Sequence, residues 1–284
     1  MRFVHVKLIL ISVFIAFTVN IQSYAEVRSA PSKTNSLPTL LIGIWQITEV
    51  HIDTGATRTL MYTNNDSRLN GRLFTINHDS LKNNTPEYTR CTNPTIATQI
   101  LTPVDLIGHS MAGRGIPPEI PTPKDYGLPL EDNKPIEVLS INCKEGLLEG
   151  NLGAESGLSG AWMITLSSDK LAVRWYDETI LVLRKLPENA KPMASFDCEK
   201  ASSLVEKTIC GSIGLAAFDK SIGQSYSSAV NQYNKQGSVN TINQLRMQQK
   251  EWLATRDKCG GDIECLEKTM VDRLETLESA PMDP

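Results

Sequence analysis

An even set of six cysteines behind an export signal constrains this chain more than any other feature. Cys91, Cys143, Cys198, Cys210, Cys259 and Cys265 all lie downstream of residues 1–25, and such a count in an exported chain reads as a disulfide framework. Residues 1–25 carry two cations, Arg2 and Lys7, then an apolar run over 8–19, then Ser23-Tyr24-Ala25 before Glu26. That is the three-part pattern of a secretory signal peptide. The run is short of the ~20 residues a spanning helix needs, and no later stretch competes with it. No stable membrane anchor is expected after cleavage, and the expected compartment is oxidising: the periplasm or the medium outside the cell.

Charge narrows the partners. The 284 residues hold 28 Lys and Arg against 32 Asp and Glu, and losing Arg2 and Lys7 takes the net charge from −4 to −6. Mild acidity argues against a nucleic-acid partner and permits a basic one.

Residues 26–39 are rich in Ser, Pro, Lys and Asn without an apolar period, and read as a flexible leader. From there to residue 186 the apolar residues fall in short runs, at 41–50, 57–62, 72–76, 136–141, 147–152, 161–166, 171–176 and 180–186. Turn residues such as Asn70-Gly71 and Ser168-Asp169 separate them. Close turns and the lack of crossover helices predict an antiparallel barrel or sandwich over 40–186. Between residues 103 and 135 stand Pro103, Pro117, Pro118, Pro121, Pro123, Pro129 and Pro135, which predicts a long surface loop with neither helix nor central strand. Cys91 and Cys143 bracket this excursion, and their pairing would stabilise by roughly 4 kcal/mol in the chain-entropy picture.

Residues 187–194 form the best boundary. Beyond it the period changes to about 3.6: Leu215, Phe218, Ile222, Tyr226, Ala229 and Tyr233 share one helical face, Ile242, Leu245, Gln249, Trp252, Leu253 and Arg256 continue after Gly237, and Leu266, Met270, Leu274 and Leu277 mark a third helix. The fold class is thus α+β in two domains, a β-barrel-like unit followed by a small helical bundle over 195–279, with a short tail at 280–284. A bundle of this size is marginal without staples. Four cysteines can pair in three ways; the local choice, Cys198 with Cys210 and Cys259 with Cys265, is preferred.

Several strings suggest enzymes and fail on their context. Gly108-His109-Ser110-Met111-Ala112 is similar to a nucleophile elbow, which would nominate Ser110. That chemistry needs a strand, a sharp turn, a helix and a later histidine, and no histidine follows His109. His51, His78 and His109 stand without ligands at metal spacing. Glu264 with Glu267, and Glu275 with Glu278, read as a solvated helix face shared with Lys268 and Arg273. No catalytic residue, metal site or cofactor is expected. Trp162 and Trp175 read as core.

The second half carries a more specific signal. Phe196-Asp197-Cys198, Glu206 to Cys210, Leu215, Phe218-Asp219, Tyr226, Gln249-Lys250-Glu251-Trp252, Arg256-Asp257-Lys258-Cys259, Cys265-Leu266 and Arg273 resemble, in order and spacing, the lysozyme inhibitor LprI-like family. Phe218 stands where Leu is commoner in that family. The resemblance covers about residues 195–278 and implies a disulfide-stapled helical domain of an exported bacterial protein that inhibits lysozyme. It supplies no contact residues, so Asp197, Glu206, Asp219, Tyr226, Gln249, Trp252, Arg256 and Asp257 are expected to be mainly architectural. Gly43-Ile44-Trp45 at the first long strand is similar to the start of a lipocalin barrel.

The expected function is binding and inhibition of a peptidoglycan-cleaving hydrolase, lysozyme or a wall-degrading toxin, by non-covalent blocking of its cleft. Arg114 or Lys124 on the proline-rich excursion could supply a cation to that cleft's carboxylates. The alternative is a carrier of a small apolar ligand or envelope component inside the β unit.

Overall fold

The computed structural model describes residues 32–34, 36–87, 89–111, 113–115, 118–146, 148 and 162–278. The expected signal peptide, residues 26–31 of the leader, the tail and nearly all of the run at 147–152 lie outside these residues.

The first half is one antiparallel sheet. Its strands are β1 (Ser32–Thr34), β2 (Gly43–His51), β3 (Leu73–Ile76), β4 (Ser80–Asn83), β5 (Arg90–Thr92), β6 (Thr95–Leu101), β7 (Ile136–Asn142), β8 (Glu145–Gly146), β9 (Trp162–Ser167), β10 (Lys170–Trp175) and β11 (Thr179–Lys185). They lie in the order β1-β6-β7-β9-β10-β11-β2-β3-β4-β5-β8, and the end strands β1 and β8 do not pair with each other. β9, β10 and β11 are a meander joined by close turns, as the spacing of their runs predicts.

Along β10 and most of β11 both faces of the sheet are buried. Leu171, Val173 and Trp175 of β10 join Trp45, Phe74, Leu81 and Leu183 on one face, while Ala172 between them joins Trp162, Val138 and Ile180 on the other. The second face is covered by the excursion at 103–135, which corrects the expectation of a surface loop without helix. Helix α1 (Pro103–Ser110) buries Leu106 and Ile107 there, with Tyr126 and Leu128 following. Pro103 occupies the first helical turn, where a missing N–H costs nothing, and Thr102 caps the end by accepting from Asp105 N. The remaining prolines begin at 117, so the helix fits between them.

Two further expectations change. Ser32–Thr34 of the leader pairs with residues 96–98 of β6, and Leu37 is buried, so order begins before residue 40. The run at 57–62 forms no strand; Arg58 turns instead to Asp177 at 2.6 Å and Glu178 at 3.5 Å, pinning the segment as a connection. Cys91 and Cys143 are bonded, and beside them Gly146 (φ +79°) passes so close to Arg90 that a Cβ would lie 1.9 Å from its carbonyl oxygen. Only glycine fits there.

The second half has helices α2 (Leu204–Cys210), α3 (Ile213–Lys235), α4 (Val239–Arg256) and α5 (Ile263–Glu278). Leu215, Phe218 and Ile222 of α3 pack with Leu266, Met270, Leu274 and Leu277 of α5, and Tyr233 packs with Ile242 and Leu245 of α4. Both local disulfides form, Cys198–Cys210 and Cys259–Cys265. No described helix is long and apolar enough to cross a membrane. Three disulfides fit an oxidising compartment.

The halves are joined through the loop before β3. Arg72 is 1% exposed, and its guanidinium lies 3.7 Å from the centre of the Phe218 ring. Burial brings its pKa down to about 9 against the pull of Glu267, Tyr62 and Glu87. Ser221 donates to the Asn70 carbonyl at 3.1 Å, and the Ser67 and Ser225 hydroxyls lie 3.0 Å apart. Phe218→Leu keeps an apolar side chain but removes the ring face, and is expected to cost about 1–2 kcal/mol in urea unfolding. Arg72→Met in the Phe218→Leu background should restore most of that loss; fully additive single and double changes would show that cation and ring do not interact.

Candidate functional site

Two surfaces of the helical unit stand out. The first is a groove of about 980 Å³ between the halves. Asn65, Ser67 and Asn70 line it from the sheet side, and Ser195, Asp219, Tyr226, Gln249, Trp252 and Arg256 are among its helical residues. Of the eight positions expected to be mainly architectural, six border this groove: Glu206, Asp219, Tyr226, Gln249, Trp252 and Arg256. The other two sit nearby in sequence with local work. Asp197 accepts from Glu199 N at 3.0 Å, and Asp257 accepts from Arg256 Nε at 3.1 Å and Nη2 at 2.8 Å.

Each groove residue is fixed by bonds on its inner side. Asp219, 3% exposed, accepts from the Ser195 N–H at 2.8 Å and hydroxyl at 2.6 Å, and faces Arg256 at 3.5 Å. Gln249 Oε1 accepts from Arg273 Nε at 3.0 Å and Nη2 at 2.8 Å. The Trp252 indole donates to the Thr269 carbonyl at 3.0 Å, with the Arg256 guanidinium 5.4 Å from its ring. Glu206 closes a capping box on α2, accepting from Ser203 N at 2.9 Å and Ser202 N at 2.8 Å. Those backbone N–H groups hold its carboxyl at about 2, well below the ordinary value of 4.5.

The second surface is the end of the bundle where α2 lies against the turn between α4 and α5. Leu204, 64% exposed, lies over the turn between α4 and α5: a Cβ on Gly261 would touch its methyls at 3.7–3.8 Å. That turn is closed by Cys259–Cys265 and uses Gly260 at φ +56°. Lys258 beside it and Ile263 after it are exposed, Ile263 at 54%. The result is a braced tip with apolar and cationic groups outward.

The excursion supplies less than its sequence suggests. Arg114 is not at a tip: its side chain is 14% exposed and paired with Asp125 at 2.8 Å and Asp53 at 3.5 Å, because the 114–119 bridge folds it back toward the sheet. Partial burial of Asp125 is outweighed by its hydrogen bonds from Arg114 and Thr122, which bring its pKa to about 2. Lys124 is exposed, in a 3₁₀ turn. Ser110 is fully buried at the end of α1, donates to the Leu106 carbonyl at 2.6 Å and accepts from Trp162 Nε1 at 2.9 Å. This is a packing role, without the raised corner a nucleophile needs.

His51 lies 3.2 Å from Glu49. Glu264, Glu267 and Glu275 are exposed, and the Glu278 side chain lies outside the described residues. Among the described residues no group of three or more His, Cys, Asp or Glu is placed to hold a metal ion. Sequence reasoning missed Arg174, which is fully buried with no hydrogen-bond partner for its nitrogens among the described residues; burial lowers its pKa and Glu178 opposes the shift.

Removing the cation of the nearly buried Arg256–Asp219 pair by Arg256→Ala is expected to cost about 3 kcal/mol in chemical denaturation, while Asp257→Ala, on a carboxylate 55% exposed, costs under ~1 kcal/mol. Equal costs would contradict the assignment. For Glu206, a folded pKa below the unfolded one means that its contribution is complete above pH 4.5 and lost as pH falls through about 2. The Ser203 amide resonance should therefore titrate with a midpoint near 2; a midpoint near 4.5 would show the box to be open in solution.

These surfaces have to be read from their own residues. No protein-family model matches the chain, and no curated protein or solved structure matches it.

Proposed function

We propose that the chain is an exported bacterial protein of the periplasm or the medium that binds a peptidoglycan-cleaving hydrolase and blocks its cleft without chemistry of its own. The observation that carries this reading is the braced tip. Lys258 and Ile263 stand exposed at the turn closed by Cys259–Cys265, and Leu204, also exposed, lies over that turn from the α2 segment that Cys198–Cys210 holds. A rigid tip loses little conformational entropy on insertion. The clefts of many glycoside hydrolases hold a pair of carboxylates, which Lys258 can meet while Leu204 and Ile263 cover the walls. The resemblance of residues 195–278 to the lysozyme inhibitor LprI-like family points the same way, and the sheet unit, read as lipocalin-like, serves as its support.

The carrier reading has less to rest on. Trp45, Phe74, Leu81 and Trp175, all at 0% exposure, fill one face of the sheet with the protein's own side chains. Mature protein titrated into lysozymes and bacterial wall hydrolases should slow peptidoglycan clearing to a stoichiometric end point. Leu204→Asp and Lys258→Glu should each weaken inhibition at least tenfold with folding intact. Undiminished digestion by every hydrolase at a large excess of the protein would overturn the proposal.

A further inference from the structure

We infer that the groove between the two halves is itself a binding site for an uncharged oligosaccharide, a function independent of hydrolase inhibition and using different residues from the braced tip. The argument begins with charge. Four acidic or basic side chains line the groove, two of each sign: Glu206, Asp219, Lys220 and Arg256. Asp219 and Arg256 face each other at 3.5 Å, and the Glu206 carboxylate is occupied by the Ser202 and Ser203 N–H groups. The field in the groove is therefore close to balanced. A polyanion such as nucleic acid finds no row of cations there, and a charged peptide finds two charges of each sign, with Lys220 offset in sign by Glu206, and no patch of one sign.

What the groove offers is neutral hydrogen bonding beside aromatic surface. Side-chain amides and hydroxyls dominate its polar lining, and they come from both halves. Their orientation is set from behind. Because Arg273 takes the Gln249 carbonyl oxygen, the amide N–H groups of Gln249 are left as donors; because Val50 N–H takes Asn65 Oδ1 at 3.3 Å, the Asn65 amide nitrogen is left likewise. The Trp252 Nε1 is spent on the Thr269 carbonyl, so what that indole presents to the groove is ring surface, and Tyr226 adds a second half-buried ring.

A pyranose has the matching chemistry: apolar C–H faces that lie on aromatic rings, and a belt of hydroxyl or acetamido groups that donate and accept. A wholly apolar ligand would strip water from the amides without replacing its hydrogen bonds. At about 980 Å³ the groove is at the upper end of the ~300–1,000 Å³ usual for ligand sites, which suits several sugar units in a row. Donors and rings already fixed by interior bonds need little ordering when the ligand arrives.

The test uses the full mature chain without any hydrolase. Chitotetraose and maltotetraose are titrated separately and followed by calorimetry and by tryptophan fluorescence. At least one should bind saturably, the first alone if acetamido groups are required. Trp252→Ala should weaken binding at least tenfold. Because Trp252 also touches the helical core, Ser228→Trp provides a second arm: Ser228 is an exposed groove-lining position on α3, so the new side chain fills the groove without entering the core and should abolish binding while circular dichroism stays unchanged. Absence of saturable binding of either sugar at millimolar concentration, or binding that Ser228→Trp leaves intact, would overturn the inference. Neither result bears on hydrolase inhibition, which Leu204→Asp and Lys258→Glu report separately.

Discussion

A buried arginine on an aromatic ring decides how this molecule is put together. Arg72 leaves the sheet half with almost no contact with solvent and ends on the face of Phe218 in α3. A guanidinium taken out of water is tolerated only when something replaces its hydration. Here the replacement is the ring, a 3.4 Å contact of Nε with Asn84 Oδ1, and the more distant carboxylates of Glu267 and Glu87. Those groups belong to both halves, so the arginine has all of them only when the halves are docked, and even then its Nη1 lacks a hydrogen-bond partner among the described residues. The same short segment, residues 65–72, carries Asn65, Ser67 and Asn70 to the groove, which ties the position of the sheet-side lining to the junction. The phenylalanine at 218 has a local reason: a leucine there would offer no face to the cation.

Much of this was legible in the sequence. The helical period placed Leu215, Phe218 and Ile222 on one face and Leu266, Met270 and Leu274 on another, and the structure packs those two sets together. Local pairing of the last four cysteines predicted two of the disulfides, and the pair that brackets the proline-rich excursion predicted the third. What escaped had identifiable causes. Counting prolines over 103–135 concealed that residues 104–116 contain none, which left room for α1. A signal for that helix was present elsewhere: Ile180-Leu181-Val182-Leu183 is apolar at every position, a pattern of strands covered on both faces, and a second cover had to come from somewhere in the chain. The run at 57–62 looked like a strand because period alone cannot see that Arg58 will be drawn to Asp177 and Glu178, more than a hundred residues away. The groove was invisible for the same reason, since Asn70 and Ser221 meet only after both halves have folded.

The eight positions expected to be architectural show why architecture and recognition are hard to separate here. Helix α4 buries only Ile242, Leu245 and Arg256, too few to hold eighteen residues in place by apolar contact alone. Its C-terminal half is secured instead by polar bonds to α5, from Gln249 to Arg273 and from Trp252 to the Thr269 carbonyl, and by the Cys259–Cys265 closure just beyond it. Each of those side chains spends one end on the neighbouring helix, and in doing so fixes what its other end can present. An amide whose oxygen is committed can only donate outward, and an indole whose N–H is committed can only show its ring. The polar seam that compensates for the weak core of α4 therefore also determines the chemistry of the groove beside it, so that a residue kept for holding the helix would have the same identity and orientation as one kept for holding a ligand.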